Sequence, residues 1–351
     1  MIAALRRRRD AFLGRGDAAA TVPAMDGPLR ANQRLDQGRV VLRAEAPDNL
    51  AAAGAAVLFT SAGTVFRLPG NVPIATFDSD VSCLATDPDG AFAVGLDDGR
   101  VLLHGPSGDT LLQAGGACPT ALAFDGDSLL AAHGSARHPP SRWRHDLMER
   151  GASGSVWRAP LAGGAPSRLA DKLAWPSGLM ALDGAVVVSE SWRHRLLRIG
   201  ARSTEVAVDD LPGYPGRLAP AAGGAWLCVF APRTQLVEFV LRETAYRRRM
   251  MAEIEEAFWI APALSSGHSF MEPLQGGGVK HMAALNPWAP TRSYGLVARL
   301  DASLTPVASW HSRAGGAFHG VTSAAEHDGA LLVSAKGGDA IVALDPSDAD
   351  A

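Results

Sequence analysis

The feature that most constrains this chain is a recurring hairpin. Residues 57–60 (VLFT) run into a Ser-Ala-Gly turn and continue as residues 64–68 (TVFRL). Residues 81–85 turn at 87–90 (DPDG), run through 91–94, turn again at Asp97-Asp98-Gly99 and continue over 100–103. The pattern returns at 120–123, at 177–180 before Asp183-Gly184, at 217–219 before Gly223-Gly224, and at 320–323 before Asp328-Gly329. Period-two alternation between Asp-Gly and Gly-Gly turns describes antiparallel strands rather than helices. The units begin near residues 46, 80, 118, 175, 214 and 318, so ordinary steps span about 34 to 39 residues, the length of a four-stranded propeller blade.

Two steps are longer, and each holds a segment of different periodicity: residues 137–150, with Trp143, and residues 243–292, where 246–254 (YRRRMMAEI) reads as a helix. The expected fold class is therefore all-β, a six-bladed β-propeller carrying two mainly helical or loop insertions. A propeller needs its ring closed, and residues 39–43 (RVVLR) are suited to pair beside residues 340–344 (AIVAL), which removes two exposed strand edges. That organisation leaves residues 1–38 as an N-terminal arm outside the ring, 39–346 as the propeller and 347–351 as a tail.

Composition narrows the function. The 351 residues are 47% hydrophobic and 20% charged, enough to bury a core and too few charges for a disordered chain. Lys plus Arg (33) nearly balances Asp plus Glu (36), which argues against a nucleic-acid partner held through phosphates. The three cysteines, Cys83, Cys118 and Cys228, form no CxxC and suggest buried thiols in a reducing compartment. Four arginines near the N-terminus precede no apolar stretch, and no run approaches the roughly 18 apolar residues of a membrane span. The expectation is a soluble, cytoplasmic protein with no membrane partner.

Several apparent motifs carry little. Ser265-Ser266-Gly267-His268 lacks a nucleophile elbow, and His133 and His138 lack the spacing of a zinc helix. The Gly276-Gly277-Gly278 run before Lys280 has no phosphate-loop spacing, and the three arginines 247–249 have no aromatic platforms for RNA.

Other residues carry a resemblance. Trp175-Pro176-Ser177-Gly178-Leu179, followed by residues 186–198 (VVVSESWRHRLLR), is similar to the fourth-blade motif of the strictosidine synthase-like proteins. These belong with the gluconolactonase and paraoxonase group of six-bladed propellers. Leu211-Pro212-Gly213-Tyr214-Pro215 resembles the start of the next blade. Residues 318–323 with Glu326-His327-Asp328-Gly329 resemble the last one. The likeness extends from about residue 46 to residue 346.

The resemblance implies a small-molecule site at one mouth of the central channel, lined where the innermost strands begin. Asp48, Asn49, Ser82 and Thr120 are expected there from the early blades, and Trp175, Ser177, Phe318 and Thr322 from the later ones. In the lactonase members it also implies calcium, held by a first-blade carboxylate and by Asn and Asp side chains of later blades. Asp48 stands at the first of these positions. Ser177, however, occupies the place of the fourth-blade Asn, and Gly216-Arg217 that of an Asp-Asn pair. A hydroxyl is a poor calcium ligand, glycine offers no side chain, and arginine brings a fixed positive charge. Calcium is disfavoured and no other cofactor is expected. Arg217 is then suited to replace the metal by pairing with Asp48; the other reading turns it outward as a rim residue.

The glutamate base that the resemblance implies for the plant strictosidine synthases falls on Thr322, which cannot take a proton from an amine near neutral pH. Glu326 precedes the Asp328-Gly329 turn and belongs toward the far end of its strand, so strictosidine synthesis is not expected. His319 is the best remaining acid/base candidate, or else a packed histidine beside Phe318. Two function classes stand. One is a hydrolase of a lactone or ester, with Arg217 as electrophilic clamp and His319 as acid/base. The other is a non-catalytic propeller that binds a metabolite or partner. The second insertion, with Phe258-Trp259-Ile260, suits a lid over an apolar ligand, or the interface of a homodimer.

Overall fold

Each repeat unit folds as four antiparallel strands, and the six four-stranded sheets make a six-bladed propeller. The computed structural model describes residues 22–87, 90–105, 108–273, 280–281, 284–285 and 292–346. The innermost strands are Asp48–Ala53, Val81–Thr86, Pro119–Asp125, Pro176–Leu182, Gly213–Ala221 and Val321–His327. The turns read from sequence do the folding locally. Asp183 and Gly184 have φ of 50° and 73°, and Asp328 and Gly329 have φ of 47° and 75°, the doubly left-handed geometry that tight hairpins require. Apolar side chains from facing sheets fill the spaces between blades. Trp226, Trp310, Val321 and Val333, for example, pack fully buried between the fifth and sixth.

The ring closes as the sequence suggests. Arg39–Arg43 pairs antiparallel with Ala340–Leu344, matching Arg39 with Ala343 and Arg43 with Ala340, so the N-terminal strand completes the last blade. The chain before it does not stand clear of the ring over residues 22–38. It lies along Pro306–Ser312, the outer strand of the fifth blade. The Asn32 amide donates to the Ser309 carbonyl at 3.0 Å, while its oxygen accepts from the His311 N–H at 3.1 Å. One side chain thus imitates a ladder partner on an otherwise open edge. Leu35, with 0% exposure, plugs the seam between the fifth and sixth blades.

Both insertions leave the sheet between the second and third strands of a blade. Helix α1 (Trp143–Glu149) belongs to the third blade; α2 (Gln235–Arg242) and α3 (Thr244–Glu253) belong to the fifth. The second insertion departs earlier than residue 243. Thr234 caps a helix there, its hydroxyl accepting from the Val237 N–H at 3.1 Å. Residues 1–21, the glycine run at 276–278 and the tail at 347–351 lie outside the described residues. No helix among the described residues is long and apolar enough to cross a membrane.

If the segment before the closing strand is part of the propeller, Leu35→Ala costs about 2–5 kcal/mol. Urea unfolding midpoints measure this; a cost below about 0.5 kcal/mol, the scale of an ordinary surface substitution, contradicts the packing described.

Candidate functional site at the channel mouth

A backbone irregularity builds the site. In every blade the pairing between first and second strands slips near the channel, leaving Ser82, Thr120, Ser177 and Thr322 as single unmatched residues. The slip leaves two residues in the first blade (Asn49, Leu50) and two in the fifth (Gly216, Arg217). Such bulges re-aim a side chain out of the ladder. Four of these side chains latch each blade to the next. Asn49 Nδ2 donates to the Val81 carbonyl at 3.3 Å, Ser82 Oγ to Pro119 at 2.7 Å, Thr120 Oγ1 to Pro176 at 2.5 Å and Ser177 Oγ to Pro215 at 2.8 Å. The series ends at Gly216, which has no side chain.

There Arg217 reaches across the axis instead of turning outward. Its Nη1 donates to Asp48 Oδ1 at 2.9 Å and to the Thr322 carbonyl at 3.3 Å, and its Nη2 donates to the Ser82 carbonyl at 2.5 Å. The fifth blade is thereby tied to the first, sixth and second. Lys336, in the turn after the second strand of the last blade, places Nζ 2.9 Å from Asp48 Oδ2. Burial alone would raise the Asp48 pKa, but the two cations outweigh it and hold the carboxyl at about 2. Arg217 borders both a cavity of about 330 Å³ at the mouth and one of about 320 Å³ at the far end, so it bars the channel between them.

Asp48, Ser82, Thr120, Trp175, Ser177, Arg217 and Thr322 all border the mouth cavity, together with Lys336, Trp143 and Phe230. Three expected residues stand apart. Asn49, 1% exposed, serves as a latch, and Phe318 is packed between the fifth and sixth blades. His319 is buried, with Nε2 2.8 Å from the Arg313 carbonyl and Nδ1 2.8 Å from the Ser293 hydroxyl. With Nε2 donating to a carbonyl, Nδ1 is left to accept from the hydroxyl, and both ring nitrogens are occupied away from the mouth. Glu326 lies at the far cavity and accepts from Trp226 Nε1 at 2.6 Å.

Both insertions roof the mouth. Pro140, Ser141 and Trp143 come from the first and Leu264 from the second. The first is anchored where Asp97 accepts from the Ser141 N–H at 2.7 Å and its hydroxyl at 2.8 Å. The two meet where His145 Nδ1 lies 3.2 Å from Glu256 Oε2 and the His145 ring packs on Trp259 at 4.6 Å. The Leu264 carbonyl comes so close to Gly337 that a Cβ there would collide with it.

Lys336 is the residue that sequence reasoning missed. It is one of only three lysines among 33 cations, and it sits in a second-to-third-strand turn equivalent to Ser191–Arg193. Extending the repeat into that turn would have brought it to the mouth. The three cysteines are buried and free, and burial pushes the Cys83 thiol up to about 11 and those of Cys118 and Cys228 to about 12.

No protein-family model and no curated protein matches this chain. Solved structures do. A gluconolactonase of Xanthomonas campestris is similar over 92% of this chain and 96% of its own, with 15% identity and a TM-score of 0.54. Regucalcin of Agrobacterium tumefaciens, a calcium-binding protein, is similar over 88% of this chain and 92% of its own, with 13% identity and a TM-score of 0.51. At these identities the likeness establishes a shared six-bladed fold. The donor set here does not fit the calcium that such a neighbour binds. Asp48 is shared between two cations, the Ser177 hydroxyl is committed to Pro215, and Gly216 has nothing to offer, where calcium needs about six to eight oxygens.

Two outcomes are expected. The Asp48 carboxylate contributes about 2 kcal/mol of stability at neutral pH. That contribution is whole above the ordinary value of 3.8 and is lost as pH falls to about 2. The stability gap between the protein and Asp48→Asn therefore narrows across this window in urea titrations; a gap constant down to pH 2 contradicts the clamp. Gly337→Ala displaces the Leu264 strap and speeds limited proteolysis of the second insertion, whereas an unchanged cleavage pattern contradicts the close contact.

Proposed function

We propose that the mouth binds a lactone or an ester and hydrolyses it without a metal ion. The supporting observation is the pair of cations on Asp48: Lys336 and Arg217 supply positive charge at the axis, where a carbonyl oxygen can approach it. Water adds to the carbonyl carbon, the bond to the alcohol oxygen breaks, and that oxygen leaves with a proton. The Lys336 ammonium steadies the oxyanion formed on addition. Asp80, exposed at the rim of the same cavity, is the candidate to take the proton of the attacking water and return it to the departing alcohol oxygen. His319 is not part of this scheme, because its nitrogens are engaged elsewhere.

The motif at residues 175–179 supports a place among the strictosidine synthase-like proteins, although Thr322 stands where their glutamate base is implied. A second reading, a non-catalytic binding propeller, is favoured by one observation. Asp48 is held ionised by its partners and makes a poor base.

A panel of lactones and aryl esters, assayed with and without a calcium chelator, separates the readings. Turnover insensitive to the chelator is expected, with Lys336→Met lowering it about 10²-fold. Chelator-sensitive turnover would indicate a metal lactonase. Tight binding without turnover would leave the binding propeller.

A further inference from the structure

We infer that the mouth takes apolar, ring-bearing carboxylic acids and their esters in preference to sugar acids and sugar lactones, an inference that rests on the acyl-hydrolase reading of the same site. The first argument is the state of the hydroxyls. A sugar presents a hydroxyl at nearly every carbon, and each needs a partner once it leaves water. Ser82, Thr120 and Ser177 border the cavity, but each already donates to a carbonyl of the next blade, at 2.7, 2.5 and 2.8 Å. Turning one of these donors toward a sugar exchanges a bond that holds the ring for one that holds the ligand, which leaves the buried Thr322 hydroxyl as the one uncommitted among the described residues of the lining.

The second argument is the wall opposite. Trp143, Trp175 and Phe230 face the same cavity. Trp192 stacks behind Trp175 with ring centroids 5.3 Å apart and an interplanar angle of 22°, and its own Nε1 donates to the buried Asp146 carboxylate at 2.9 Å. Trp143 meets Phe230 edge-on at 5.6 Å. Aromatic faces fixed in this way are ordered before a ligand arrives, so a flat apolar body binds without the entropy loss of arranging them.

The third argument is charge. At the cavity floor Arg217 and Lys336 together face a single carboxylate, Asp48, while Asp80 stands at the rim and Asp97 is taken up by Ser141 of the roof. The positive charge of the floor is most accessible on Lys336, whose side chain is 34% exposed against 20% for Arg217 and 8% for Asp48. An acyl carbonyl, or the carboxylate formed from it, meets that charge while its ring lies on the tryptophans.

Three probes test this on the whole protein by calorimetry and tryptophan fluorescence: 1-naphthoate, gluconate and the neutral 1-naphthalenemethanol. Naphthoate is expected to bind at least tenfold more tightly than either of the others. Lys336→Met should weaken naphthoate about tenfold and leave the alcohol unchanged. Trp143→Ala, which alters the roof and not the ring, should weaken both naphthalene compounds. Gluconate binding as tightly as naphthoate, no binding of naphthoate, or indifference to Lys336→Met would each overturn the inference. Naphthoate binding without hydrolysis of any ester would remove the hydrolase reading and leave this selectivity standing. Hydrolysis of a sugar lactone without naphthoate binding would do the reverse.

Discussion

A ring of sheets is weakest at its axis, where innermost strands of neighbouring blades converge without pairing. This chain meets that constraint with one unmatched residue or two per blade, and through these with hydrogen bonds that cross from blade to blade. Asn49, Ser82, Thr120 and Ser177 each reach the carbonyl one blade further on. At Gly216 the sequence cannot continue the series, and Arg217 spans the gap instead. Its guanidinium suits the task because its planar, forked donors can meet a carboxylate and two backbone oxygens at once. The residues that could have served only a ligand thus hold the propeller together as well.

The electrostatics follow from the same geometry. Asp48 is buried, and an isolated carboxylate in such a place would be pushed toward its neutral form. Two cations reverse this, and their combined charge exceeds its own. Buried ion clusters seldom add much net stability, because the charges must leave water. Their value here is positional: a fixed positive centre at the floor of an aromatic-walled chamber.

How much of this was legible in the sequence depends on the range of each signal. Blade number and the closing strand could be read because period-two alternation and Asp-Gly turns are local, and because Arg39–Arg43 has only one partner that completes the ring. The pairing of Arg217 with Asp48 was one of two readings of Arg217: repeat position put both residues at the channel, and the ligand positions that the resemblance implies suggested that they meet. Lys336 was not, because it enters from a turn rather than from an inner strand. His319 misled for the opposite reason. It stands two residues before Val321, on the approach to an inner strand, and nothing in the sequence reveals that Ser293 and Arg313 take up its nitrogens. Helix α2 was hidden in an apolar run whose helical character depends on one threonine cap and on what its buried face meets, and tertiary contacts of that kind leave little local trace.

The closing strand has a consequence for synthesis on the ribosome. Among the described strands, residues 39–43 come first in the chain and their partner, Ala340–Leu344, comes last. Earlier blades can form hairpins as they appear, but the torus cannot shut until the sixth blade has been made. Until then the first blade presents an unsealed flank to solvent or to chaperones, and the ring becomes one cooperative unit only once that last strand has paired.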